Sequence, residues 1–191
     1  MNLRHLLVGI PLAVASTVAA AHPGHLGGSL LAGFAHPVLG LDHLLAMLAI
    51  GAYAAQRPGR AGWALPATFV LAMLGGAVAA ALGLSLPWIE QGIAASLIVL
   101  GVLLACTIRV ADGAVAALVA GVAVLHGHAH YLDMGHQAAA AYASGFAAAA
   151  VAIQAAGYGL ARRLPASRAG RWLKGALGGV VALAGLFLLA G

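Results

Sequence analysis

After about residue 30 the chain is a succession of long apolar runs, interrupted mostly by Pro, Gly, Arg or Asp. The runs lie near 30–55, 63–84, 89–108, 113–131, 136–160 and 173–190. None alternates apolar with polar residues as a half-buried strand would, and each is long enough for a helix of roughly 20 residues, the length that crosses a bilayer core. Only helices and closed barrels satisfy their backbone in lipid. The pattern therefore predicts an all-α fold, a polytopic membrane helix bundle of six transmembrane helices. Small residues recur at four-residue spacing, as Gly113, Ala117 and Gly121, and again as Gly175 and Gly179. That spacing lets helix backbones approach closely in lipid, so these positions are the expected helix contacts.

Residues 1–21 read differently. A basic start at Arg4, an apolar stretch from Leu6 to Val18 that contains Pro11, and the small residues Ala19 to Ala21 make the three parts of a secretory signal. The expected organisation is a cleavable signal peptide over 1–21 and one six-helix domain over 22–191. The mature chain would then begin outside the cytoplasm with His22, Pro23, Gly24 and His25.

Composition closes off other classes. Only 7% of residues are charged and 63% are apolar, with a mean hydropathy of +1.03. Soluble domains carry about 25% charged residues, so a soluble catalytic domain is excluded. The formal charge of +5 does not point to nucleic acid, because the basic residues sit in short connections between apolar runs. Counted from an external N-terminus, the inner connections hold Arg57 and Arg60, then Arg109, then Arg162, Arg163, Arg168, Arg171 and Lys174. The outer connections, around 84–89 and 131–135, hold no Lys or Arg. This agrees with the positive-inside rule, and the expected location is the cytoplasmic membrane, multi-pass, with the mature N-terminus external. The single cysteine, Cys106, falls in an apolar segment and is expected to be buried and inert.

On that topology the polar residues gather at one face. His22, His25, His36, Asp42, His43, Glu90, His126, His128, His130, Asp133 and His136 all fall toward the outer side, leaving His5 in the signal and Asp112 at an inner helix start. Imidazole and carboxylate suit Ni, Zn, Fe or Mn, and ionisable groups inside a membrane are functional candidates. His36 and His43 in an unbroken helix would be about 10 Å apart in rise, too far for one ion bound at about 2 Å per ligand. Pro37 disfavours helical geometry at His36, and Gly40 permits a bend that folds His36 back toward Asp42 and His43. The bland alternative is a kinked helix with a capping His and a satisfied Asp. His126 and His130 share a helix face, Asp133 extends their stripe, and His128 points away. Helix-end stabilisation by His and capping by Asp explain part of that pattern equally well. Glu90 follows Pro87 and Trp88, so a helix start at the interface competes with a place on an ion path. Met47, Met73 and Phe69 are expected as packing residues, Phe69 with a pore wall as the alternative.

These residues resemble the HupE/UreJ family of bacterial membrane proteins. The resemblance rests on HPGH at 22–25, HPVLGLDHLLAM at 36–47, TFVLAMLGGA at 68–77, PWIEQGIAAS at 87–96 and HGHAH at 126–130. The HP-x-x-G-x-DH pattern is its most specific part. Such families accompany hydrogenase or urease gene sets, so the resemblance implies nickel uptake and a setting of hydrogenase or urease maturation proteins. It carries over His36, Asp42 and His43 as signature positions, with Glu90, His130 and Asp133 secondary. The ligand types alone indicate a borderline divalent cation and leave Co²⁺ and Zn²⁺ open.

The leading expectation is a nickel permease, not an enzyme, with Ni²⁺ as the transported ion and no resident cofactor. Its partners are membrane lipid and, as an open option, further copies of itself. No G-x-x-x-x-G-K-[ST] loop occurs, so the energy would come from the ion gradient, a coupled ion or a partner. Facilitated diffusion is favoured because no acid lies in the inner halves of the spans beyond Asp112 at an end. The competing readings are a membrane-embedded zinc hydrolase with His and Asp ligands and a haem protein with axial histidines.

Overall fold

The computed structural model describes residues 29–134 and 138–190, and every regular element among them is an α-helix. The helices are α1 (Leu30–Leu39), α2 (Leu41–Ala54), α3 (Arg60–Ala81), α4 (Ile89–Ala105), α5 (Asp112–Met134), α6 (Ala139–Arg163) and α7 (Arg168–Ala190). The signal segment, His22, His25 and His136 lie outside the described residues.

Each apolar run becomes one helix, except the first, which becomes two. Ser29 caps α1 by accepting a hydrogen bond from the Ala32 amide at 3.0 Å. Gly40 then takes an extended conformation, and α2 leaves at 83° to α1. The expected break is therefore present but displaced. His36 and Pro37 are inside α1, and the chain turns at Gly40. Pro37 stands in the last turn of α1, where its ring removes one backbone donor just before the helix ends. Helices α3, α5, α6 and α7 are each long and apolar enough to cross a membrane, and the bent α1–α2 pair makes a fifth candidate if it counts as one span. Helix α4 is also apolar but shorter, at 17 residues.

The closest packing pairs α3 with α5 and α4 with α7, while α6 lies along both α1 and α2. Glycines make these approaches possible, and they do so in facing pairs. A Cβ on Gly127 would overlap the Met73 carbonyl, and one on Gly76 would overlap that of Val124, so α3 and α5 touch backbone to backbone. Gly101 and Gly178 do the same for α4 and α7, as do Gly33 and Gly145 for α1 and α6. The glycines expected at contacts are not these. Gly113, Gly121 and Gly179 face open space, and Gly175 has one atom at van der Waals distance. Spacing alone does not pick out the close-packing glycines, because it does not say which face of the helix meets a neighbour.

Large apolar side chains such as Leu71, Val78, Leu183 and Phe187 cover the outside, where water would penalise them and lipid would not. The interior is dense, with Met47, Ile50, Phe69, Leu97, Val119 and Phe146 almost wholly buried. Cys106 departs from expectation: it caps the end of α4 and is exposed.

Helices α2 and α5 run antiparallel through this core. At one end, Arg57 donates to the Asp112 carboxylate, to the Val110 carbonyl (2.6 Å) and to the Tyr53 hydroxyl (2.7 Å). Tyr53 in turn donates to the Ile108 carbonyl at 2.8 Å. Partial burial works against the Arg57 charge, but Tyr53 and Asp112 outweigh it and raise the pKa. The connections after α2 and after α4 are thereby tied together. At the opposite end, His43 meets His126. Asp112 and His126 are separated by about 21 Å along α5 at 1.5 Å rise per residue.

A candidate metal centre between four helices

The bend at Gly40 is what builds the site. It turns α1 across the start of α2, so that the His36 and His43 rings come to 5.7 Å, centroid to centroid, edge to face. Gly40 has an ordinary φ of −84°, so it is not there for a left-handed backbone. Its value is space: a Cβ would crowd His43 Nδ1 and Asp42 Oδ1 at 3.0 and 3.1 Å.

Those two atoms are partners. The His43 Nδ1–H donates to Asp42 Oδ1 at 2.5 Å, and a carboxylate at neutral pH can only accept. The bond fixes the tautomer, so the His43 lone pair sits on Nε2, which is buried and has no partner. Asp42 is thus placed behind His43, as an orienting carboxylate commonly is for a metal-ligating histidine.

Helix α5 supplies the other side. His126 and His130 share its inward face, as the i, i+4 spacing anticipated, with ring centroids 6.5 Å apart. His130 lies 4.7 Å from His36 and 4.3 Å from His43, and neither of its ring nitrogens has a partner. One nitrogen from each of His36, His43 and His130 lies within 4.8 Å of the others. Nitrogens bound to one ion at about 2.1 Å lie no more than about 4.2 Å apart. Sub-ångström closure by side-chain rotation therefore brings the trio into ligating range. A small cavity of about 30 Å³ opens beside His130, walled by Met73, Met134, Tyr142 and Phe146. It has room for a water or two.

The remaining sequence candidates stand apart from the trio. His128 is buried on the far side of α5, as its position two residues from His126 dictates. Asp133 is exposed one turn beyond His130, and Glu90 is exposed in the first turn of α4. Phe69 is fully buried with its ring 5.7 Å from that of His126.

Two residues escaped the sequence reading. Phe146 of α6 packs its ring 3.9 Å from that of His130 and 6.2 Å from that of His36. Tyr142, one turn earlier, meets His36 at 6.0 Å. They form the apolar wall that holds the imidazoles in place. Their signal was available: two aromatics at i, i+4 in an Ala-rich helix form a stripe on one face.

Three imidazoles from α1, α2 and α5 converge against α6, with His43 and His130 buried and His36 half-buried, and imidazole nitrogens are donors that suit borderline divalent cations. The sequence comparisons agree with the motif. The family model described as HupE / UreJ protein matches residues 10–188. The chain is 41% identical over 177 residues to "Protein HupE" of Rhizobium leguminosarum bv. viciae, covering 92% of each chain. No solved structure matches. The chain belongs to the HupE/UreJ family.

Proposed function

We propose that this chain is a permease that carries Ni²⁺ into the cytoplasm by facilitated diffusion, supplying hydrogenase or urease maturation. The observation that carries the reading is the convergence of His36, His43 and His130, the last two with buried, unpartnered nitrogens, inside a bundle built for lipid. The family membership supports nickel as the cargo, since the donor set by itself also accepts Co²⁺ and Zn²⁺. Six spans follow if the α1–α2 pair and α4 both cross, after a signal cleaved near Ala21, with the mature N-terminus external. Asp42 acts through His43, and Glu90 and Asp133 lie at the outer approaches, where their charge draws cations inward.

A zinc hydrolase remains the second reading, because three histidines with an open position is a known catalytic arrangement. The space beside the trio argues against it. About 30 Å³ admits an ion and water but not a substrate, for which clefts run to roughly 300 Å³ or more.

The test is nickel accumulation in cells at matched membrane abundance. His36→Ala, Asp42→Asn and His43→Ala should each reduce accumulation at least tenfold, an effect of the size seen when ligands or their orienting partners are lost. Normal accumulation in all three would reduce the cluster to a packing feature.

A further inference from the structure

His126 lies beyond the trio, one turn further along α5 toward the Arg57–Asp112 end, and is fully buried. Its Nδ1–H donates to the Val122 carbonyl at 2.8 Å. A carbonyl only accepts, so this bond fixes the tautomer and leaves the lone pair on Nε2. That atom is buried and has no partner. The His126 ring is 5.0 Å from His43 but 6.5 Å from His130, and His126 is not among the three residues whose nitrogens cluster within 4.8 Å. It is therefore too remote to complete the coordination of an ion held by the trio, yet adjacent to one member of it. His43 is that member. It cannot swing away without breaking its bond to Asp42, and its single bare nitrogen, Nε2, is the one it can offer to either neighbour. Below His126 on α5, Val119, Val122 and Ala123 are buried and apolar, and Phe69 closes over the ring.

We infer that His126 is a second, inner ligand position, to which an ion held by His36, His43 and His130 passes by exchanging His36 and His130 for His126 while His43 stays bound. The step rests on the proposed transport function and deepens it. Ligand exchange through a shared histidine moves the ion toward His126 by no more than about 4 Å, twice a metal–nitrogen bond, without returning it to water. No bond other than metal–nitrogen bonds is made or broken. A fixed Nε2 lone pair also means that His126 needs no tautomer change to receive the ion. The outer trio then governs affinity, and His126 governs the rate of passage.

The experiment compares Ni²⁺ binding to the purified full chain at equilibrium with Ni²⁺ flux in proteoliposomes. His126→Asn keeps an amide donor for the Val122 carbonyl and removes the ligand atom. His126→Gln loses that tie and sets an amide oxygen near the former Nε2. The expected result is Ni²⁺ affinity within about threefold of the parent for both variants, with flux at least tenfold lower in Asn than in the parent and higher in Gln than in Asn. A purely structural histidine gives the reverse order, because Asn retains the backbone tie. Unchanged flux in His126→Asn, the reverse order, or binding lost as fully as in His130→Ala would overturn the inference. A parent protein that neither binds nor conducts Ni²⁺ refutes the underlying function, a result distinct from failure of the His126 step alone.

Discussion

His43 shows how much one side chain can depend on its immediate neighbours. Its ring is aimed by Asp42, given room by Gly40 and faced by histidines from two other helices. The carboxylate and the glycine are both in the HP-x-x-G-x-DH string, so this part of the site is legible in the sequence. The role of Asp42 is not, because adjacency along the chain does not say whether an acid binds the ion or the histidine. Phe146 and Tyr142 are hidden for a related reason: their contacts to His36 and His130 come from another helix, whose inward face the sequence does not mark. The chemistry of the trio sets a pH dependence. Imidazole binds metal only when neutral and has an ordinary pKa of about 6.5, so protons and Ni²⁺ compete for the same lone pairs. Lowering the pH adds proton competition and raises the Ni²⁺ concentration needed for binding. Apparent Ni²⁺ affinity should therefore weaken as pH falls through about 6, by more than tenfold per unit at the acid end because more than one imidazole must be freed. Titrating Ni²⁺ binding between pH 5 and 8 checks this, and a flat profile would remove histidine from the donor set.

At the scale of elements, hydropathy locates nearly every helix to within a few residues, since lipid demands uninterrupted apolar stretches whatever their neighbours. The exception is instructive. The 30–55 run is apolar but for His36, Asp42 and His43, so hydropathy alone reads it as one span; Gly40, which permits a bend, is where the 83° turn falls, and Pro37 lies inside α1. The pairing of helices is less legible still. Gly113 and Gly121 have the same spacing as working contact glycines but face open space, whereas Gly127 is pressed against the backbone of α3. The contrast predicts opposite outcomes for the same substitution on one helix. Gly127→Ala must push α5 off α3, at about 1–3 kcal/mol for overpacking, and should lower the thermal unfolding midpoint in detergent. Gly121→Ala should leave it unchanged or raise it, because alanine stabilises a helix by roughly 0.5–1 kcal/mol over glycine. Equal behaviour of the two would mean that α3 and α5 are not packed as described.

For the whole molecule, polarity divides along the helix axes. The Arg57–Asp112 tie at one end and the histidines at the other put basic connections and candidate ligands on opposite sides of an apolar slab. His130 stands about 27 Å from Asp112 along α5, a little less than the roughly 30 Å of a bilayer core. The division agrees with positive-inside counting and predicts the topology. Reporter fusions at 57–62 and 163–172 should register cytoplasmic, and one near 86 external; an inverted result at 86 would place the histidines at the wrong mouth. Among the described residues, Met47, Ile50, Phe69 and Val119 are buried between the two ends with only the non-titratable polar groups Ser96 and Gln154 beside them, so no chain of titratable groups runs there, which favours uncoupled passage over proton coupling. The most direct measurement is therefore Ni²⁺ flux into proteoliposomes holding the purified chain, at a fixed metal gradient and matched membrane potential, with and without a pH gradient. The account predicts saturable downhill entry that needs no pH gradient and is abolished by His130→Ala. Flux no faster than in protein-free vesicles, or flux that requires the pH gradient or runs uphill on it, would contradict it.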